Sequence, residues 1–164
     1  MYYYINLYLI GSFLGYLLET FLKYFFFHSM NNGILFGPWI PVYGFGILIA
    51  LIVEKKIFQL KIRNIYKFIL SFFVIVILNT ILEEIGGVLI ELISHKTFWN
   101  YSNKLFNLGP YISLEMSLLW GILSLIFVSY VVPAVNLLIE KIPRTVTIFV
   151  LGIQIVDFIF TLLI

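Results

Sequence analysis

The sequence predicts an all-α integral membrane protein, a bundle of about five transmembrane helices. Three observations predict it. Of 164 residues, 62% are hydrophobic and 11% charged, too little polar surface to wrap one aqueous core. The mean hydropathy of +1.08 fits a chain whose solvent is a bilayer. The apolar residues also gather into five long runs, and a helix needs about 20 of them to cross a membrane. The whole chain, residues 1–164, is expected to form a single transmembrane domain.

The first run is 4–27. It has no basic n-region, and no small-residue cleavage site follows it, so it reads as a retained span rather than a signal peptide. Gly11, Gly15, Glu19 and Lys23 recur every fourth residue and share one face. The glycines make a small-xxx-small surface for close helix approach. Glu19 and Lys23 form an i,i+4 pair in the favourable order. That face reads either as an ion pair beside a packing seam or as a polar cavity lined by Glu19.

The second run, 39–53, is short and follows the stretch Gly37-Pro38-Trp39-Ile40-Pro41-Val42-Tyr43-Gly44. Pro38 and Pro41 each remove a backbone donor. Irregular backbone at membrane depth is tolerated only under cover. A Gly/Pro-rich re-entrant or dipping segment is therefore predicted before the second helix, against the plainer reading of an interfacial turn anchored by Trp39 and Tyr43.

The third run, 66–93, is the richest in polar groups. Asn79 and Glu83 lie one turn apart, as do Thr80 and Glu84; Glu91 lies two turns beyond Glu84, and His95 one turn further. Gly86 and Gly87 interrupt the acids. An acid at the centre of a spanning helix costs roughly 2.5–3.5 kcal/mol on insertion scales, so such acids face a protein interior or a wet cavity. Glu83 and Glu84 point about 100° apart and cannot both face one groove. The alternative is polar glue between helices. Glu91 and His95 with a third ligand such as Glu84 or His28 could make up a zinc site, which takes three or four close ligands, but an E-x-x-x-H pair alone is a weak signal for one. No metal and no cofactor are expected, and His95 is read as a cap on the helix end.

The fourth run, 113–133, opens with Ser113, a good N-cap, and with Glu115 in the first turn, where the helix dipole favours an acid. In the fifth, 145–164, Asp157 has Gln154 and Thr161 within about a turn and reads as a local hydrogen-bonded cluster. The loop from Trp99 to Asn107 holds too many aromatic residues for a solvated linker and is expected to fold back over the same membrane face as the stretch 37–44.

Lys55, Lys56, Lys61, Arg63, Lys67, Lys141 and Arg144 follow the second and fourth runs, against Lys96 and Lys104 after the first and third. The positive-inside rule places the basic loops in the cytoplasm. Five spans then put the N-terminus inside and the C-terminus outside an inner (plasma) membrane, with Glu19, Glu83, Glu91 and Glu115 in the outer half. Glu54 and Glu140 read as solvated loop charges. The absence of Cys excludes disulfides and thiolate chemistry, and a net charge of +2 without a basic stripe excludes nucleic acid as partner.

In this order, Gly15-x-x-x-Glu19, Gly37-Pro38-x-x-Pro41-x-Tyr43-Gly44-x-Gly46, Glu83-x-x-x-Gly87-x-x-x-Glu91, Trp99-x-Tyr101-Ser102, Phe106-Asn107 and Leu114-Glu115-x-Ser117-x-x-Trp120-Gly121 resemble the bacterial membrane family labelled Putative ABC-transporter type IV (CmpB-like). Asn100, Pro110 and Ser113 stand where that pattern usually has an acid, a base and a Cys. The resemblance spans roughly residues 10–125 and implies a transport subunit.

The first functional expectation is thus a transport-related subunit, permease-like, with an acidic cavity open to the outer leaflet for a cationic or lipid-like substrate. Its substrate-contacting set is Glu19, Glu83, Glu91, Glu115, Trp39, Tyr43, Trp99, Tyr101 and Ser102, framed by Gly37, Pro38, Pro41, Gly44 and Gly87. About five spans are few for a permease, so it would form a homo-oligomer or join another membrane chain. No Walker A pattern is present, so an ATPase would be a separate chain, met through residues 54–67. The second expectation is a membrane-embedded enzyme on a lipid or lipid-linked substrate, with Glu83, Glu91, Glu115 and Tyr101 as acid/base groups. The third is an assembly protein whose acids are only glue.

Overall fold

The computed structural model describes residues 1–27, 35–95, 97 and 99–163. Helices stand at each of the five predicted places. They are α1 (Tyr2–Phe27), α2 (Pro41–Ile57), α3 (Asn64–Ser94), a continuous helical rod Leu114–Ile139, and α6 (Arg144–Leu163). The rod consists of α4 (Leu114–Ile126), a π-helical turn (Phe127–Val131) and α5 (Val132–Ile139). Two short strands, β1 (Asn107–Leu108) and β2 (Ile112–Ser113), precede it.

Among the described residues, four helices are long and apolar enough to cross a membrane: Tyr2–Phe25, Asn64–Ser94, Leu114–Ile139 and Arg144–Leu163. The chain is a helical membrane protein. Helix α2 has 17 residues, a length of about 26 Å at 1.5 Å per residue, at the lower edge of what spans a bilayer. It starts at Pro41, where a missing N–H costs nothing because the first turn has no acceptor for it.

The fourth helix runs past the predicted stop at Pro133. The π turn explains this. The Val132 N–H reaches back to the Phe127 carbonyl, five residues away. The widened turn immediately before Pro133 relieves the clash that a proline ring makes with the carbonyl one turn earlier.

The chain divides into two compact units. The first comprises Met1–Phe45 and Asn136–Ile164. In it α1 packs on α6. Buried Asn6 accepts from the Thr147 hydroxyl at 2.7 Å and donates to the Ile139 carbonyl at 3.5 Å, which ties the α5–α6 turn to α1. Gly15 and Gly44 are small because they must be: a Cβ at Gly15 would overlap the Tyr43 ring, and one at Gly44 would overlap Tyr8 and Ser12.

The second unit comprises Gly46–Val135. Helices α3 and α4 pack side by side with a polar seam, in which buried Asn79 donates to the Ser124 hydroxyl at 2.9 Å. Gly121 lets α4 approach α3, since a Cβ there would meet Val76 and Phe72. Helix α3 ends at His95, left-handed at φ 55°, whose N–H closes on the Glu91 carbonyl at 2.8 Å.

Candidate functional site

One face of α3 organises the second unit. Glu83, Gly87 and Glu91 follow each other at four-residue intervals, so they form a single stripe. The loop after α3 returns onto that stripe. Strands β1 and β2 pair Asn107 with Ser113 and Leu108 with Ile112. Gly109, at φ +70°, supplies the left-handed residue that the tight reversal requires. The Tyr101 N–H donates to the Pro110 carbonyl at 2.7 Å, and the Leu114 N–H to the Phe106 carbonyl at 2.8 Å. The loop is thereby a folded element, and it presents two tyrosines to α3.

Tyr101 donates its hydroxyl to Glu83 Oε1 at 3.0 Å, and the Trp120 indole N–H points at the same oxygen from α4 at 3.4 Å. Glu83 is only 3% exposed, and among the described residues its Oε2 has no hydrogen-bond partner. The neighbouring Glu84 Oε2 and Asn79 Oδ1 are buried acceptors that also find no donor among the described residues. The second tyrosine, Tyr111, is buried and donates to Glu91 Oε2 at 2.5 Å. Its ring fills the notch above Gly87, where a Cβ would stand 2.5 Å from ring carbons. The bond to Glu91 pushes the Tyr111 phenol up to about 12, because the carboxylate favours the proton-bearing donor. Trp99 completes the packing, edge-on to the Tyr111 ring at 5.9 Å, with its N–H on the Tyr111 carbonyl at 3.3 Å.

Glu83, Glu91, Trp99 and Tyr101 of the expected set are thus brought onto one face, with Gly87 between the acids. Glu115 stands apart in the first turn of α4, half-exposed and paired with Lys104 at 3.1 Å, while Ser113 caps that helix by accepting from the Met116 N–H. Ser102 is exposed, and its N–H closes a turn on Asn100 Oδ1 at 2.8 Å. Sequence reasoning missed Tyr111 and Trp120 as partners of the acids. A Tyr directly after a Gly-Pro pair carries no signal of its own, although Trp120 lies one helical turn past Ser117 on the seam.

The first unit holds the remaining expected residues. Glu19 pairs with Lys23 at 2.6 Å. The Tyr43 ring covers Gly15. The stretch 36–39 is held by Asp157, and this was not foreseen. Asp157 Oδ1 accepts from the Phe36 N–H at 3.0 Å and the Thr161 hydroxyl at 3.4 Å. Its Oδ2 accepts from the Gly37 N–H at 2.8 Å and the Trp39 indole at 2.7 Å. Trp39 therefore spends its polar atom on the protein. The local cluster expected around Asp157 contains Thr161 but is centred on this distant segment.

Among the described residues, no three His, Asp or Glu side chains stand close enough to share a metal ion. His28, one candidate ligand, lies outside the described residues, as do Gly33 and Lys96. Chemically, the α3 stripe offers a carboxylate with one oxygen held by aromatic donors and one left over.

No curated protein and no solved structure matches this chain. The family model described as Putative ABC-transporter type IV matches residues 6–164, from the first turns of α1 to the end of α6, and the chain belongs to that family.

Proposed function

We propose that this protein is a transport-related subunit of the inner membrane whose second unit binds a cation or an amine-bearing or lipid-like substrate at Glu83. The observation that carries the reading is the Glu83 Oε2 atom, buried in a spanning helix without a donor among the described residues. A buried acceptor left unpaired costs about 1–3 kcal/mol, and a positive group beside it would recover that cost. Tyr101, Trp120 and the Tyr111–Glu91 bond hold the surrounding groups in place. The dipping of the stretch before α2, the contribution of Glu19, Trp39, Tyr43 and Glu115, the outer-leaflet opening and the cytoplasmic N-terminus belong to the same reading. A separate ATPase chain would supply the energy, and self-association or a second membrane chain would complete the permease.

The test is the thermal stability of purified protein against a panel of alkali cations, polyamines and amine-headed phospholipids. At a hundredfold excess over Kd, a ligand adds about 2.7 kcal/mol of stability. One class should raise the unfolding midpoint of the wild type and leave Glu83→Gln unmoved, since Gln keeps the size and removes the charge. An equal rise in both proteins would refute a charge-dependent site.

A second reading has an observation of its own. Two tyrosine–glutamate bonds fasten the loop to α3, as in an assembly protein whose acids only anchor a loop. In that case no member of the panel distinguishes the wild type from Glu83→Gln.

A further inference from the structure

We propose that the connection between α2 and α3 is a docking surface for anionic phospholipid headgroups of the membrane in which the protein sits. The inference is independent of the Glu83 site. Residues 58–63 join the two helices. Lys61 and Arg63 lie in this connection and Lys56 in the last turn of α2; all three are exposed, and among the described residues none is ion-paired. Glu54 is the only acid in residues 54–67, against five basic residues, so the segment carries an excess of positive charge.

Apolar side chains interleave with that charge. Leu60 and Ile62 are 44% and 41% exposed, and Ile65 and Tyr66 at the start of α3 are more exposed still. Water is a poor partner for half of these groups and hydrocarbon for the other half. The headgroup layer of an anionic leaflet satisfies both, because Lys and Arg lay their stems along apolar surface and keep their charge at the phosphates.

The fold also holds the segment down. Lys67 Nζ donates to the Phe58 carbonyl at 3.0 Å and sits 5.6 Å over the Phe58 ring, which packs edge-on to Phe68 at 5.2 Å. Leu60 and Ile62 are therefore tethered within a few residues of the first turns of α3. A loop that reached into a separate ATPase chain would have to project away from the helix ends, and this one is fastened to them.

The experiment uses the full chain in nanodiscs of phosphatidylcholine with a minor fraction of phosphatidylglycerol. It measures the enrichment of phosphatidylglycerol in the lipid that stays bound after detergent extraction. Each basic residue near a charged surface contributes about fivefold. The triple variant K56Q/K61Q/R63Q should lose enrichment by about tenfold or more, whereas K141Q/R144Q, which alters the other basic connection, should keep most of it. Wild-type enrichment should also fall as salt rises, because exposed charges are screened. Enrichment unchanged in the triple variant, lost equally in K141Q/R144Q, or indifferent to salt would overturn the proposal. So would a triple variant that keeps its lipid but no longer co-purifies with an ATPase chain, which would assign the surface to a protein partner.

Discussion

Tyr111 shows how much of the second unit hangs on a single residue. Its ring occupies the space that Gly87 leaves empty, and its hydroxyl closes on Glu91. Adding one carbon at position 87 therefore forces ring and helix apart. Gly87→Ala should lower stability by about 1–3 kcal/mol, the usual cost of overfilling a packed site. It should also open residues 99–113 to protease before the helices unfold; an unchanged cleavage pattern and midpoint would contradict the packing. The hydroxyl makes a separate prediction through its titration. The folded phenol ionises near 12, above the value of about 10 of a free tyrosine. A group whose folded pKa is raised stabilises fully below its unfolded value and loses that contribution as pH climbs through the folded one. The loop should thus stay docked up to about pH 10 and loosen between about 10 and 12. In a tyrosinate absorbance titration, Tyr111→Phe should remove the most alkaline component. Removal of a component near 10 would place the phenol in water.

At the scale of elements, Asp157 does for the segment 36–39 what Tyr111 does for the second unit's loop, by hydrogen bonds rather than by volume. Four donors converge on its two oxygens, two of them backbone N–H groups that have no helix or strand to satisfy them. Asp157→Asn turns one oxygen into a donor facing donors, and Asp157→Ala removes both acceptors. Either change should speed hydrogen exchange at the Phe36 and Gly37 amides by about tenfold or more, since each lost bond costs about 1 kcal/mol or more; exchange at the wild-type rate would deny Asp157 this role. The sequence could not reveal the pairing, because its partners lie about 120 positions away and Thr161 offers a nearer explanation. Local rules succeeded where local physics decides. Ser113 and Glu115 start α4 as capping and dipole arguments require, and the apolar runs became helices because hydropathy is a property of composition. The stop assigned at Pro133 failed because proline breaks a helix only where the turn before it is regular, and a π turn there is not. The stripe Glu83–Gly87–Glu91 was legible as spacing, but the tyrosines that meet it were not, because a loop's path over a helix has no period to read.

For the whole molecule, the membrane topology follows from how many helices cross. Asn64–Ser94, Leu114–Ile139 and Arg144–Leu163 are each long and apolar enough to span. If Asn64–Ser94 and Leu114–Ile139 both cross, the connection 58–63 and the connection 140–143 face the same side and residues 99–113 face the other. The basic residues divide accordingly, with Lys55, Lys56, Lys61, Arg63, Lys67, Lys141 and Arg144 on the first side and Lys104 on the second. The positive-inside rule predicts that the first side is cytoplasmic. The absence of native cysteine makes the test clean. A cysteine placed at Lys61 or Lys141 should resist a membrane-impermeant maleimide in intact cells and react in inverted vesicles, and one at Lys104 should do the reverse. Helix α2 is the one element whose crossing its length leaves open, at 17 residues. If it crosses with α1, a tag at Met1 lies on the side of Lys61; if it only dips, the tag lies on the side of Lys104. Labelling of a cysteine at Lys104 from the cytoplasm would invert the whole arrangement, and with it the side on which we propose the Glu83 site.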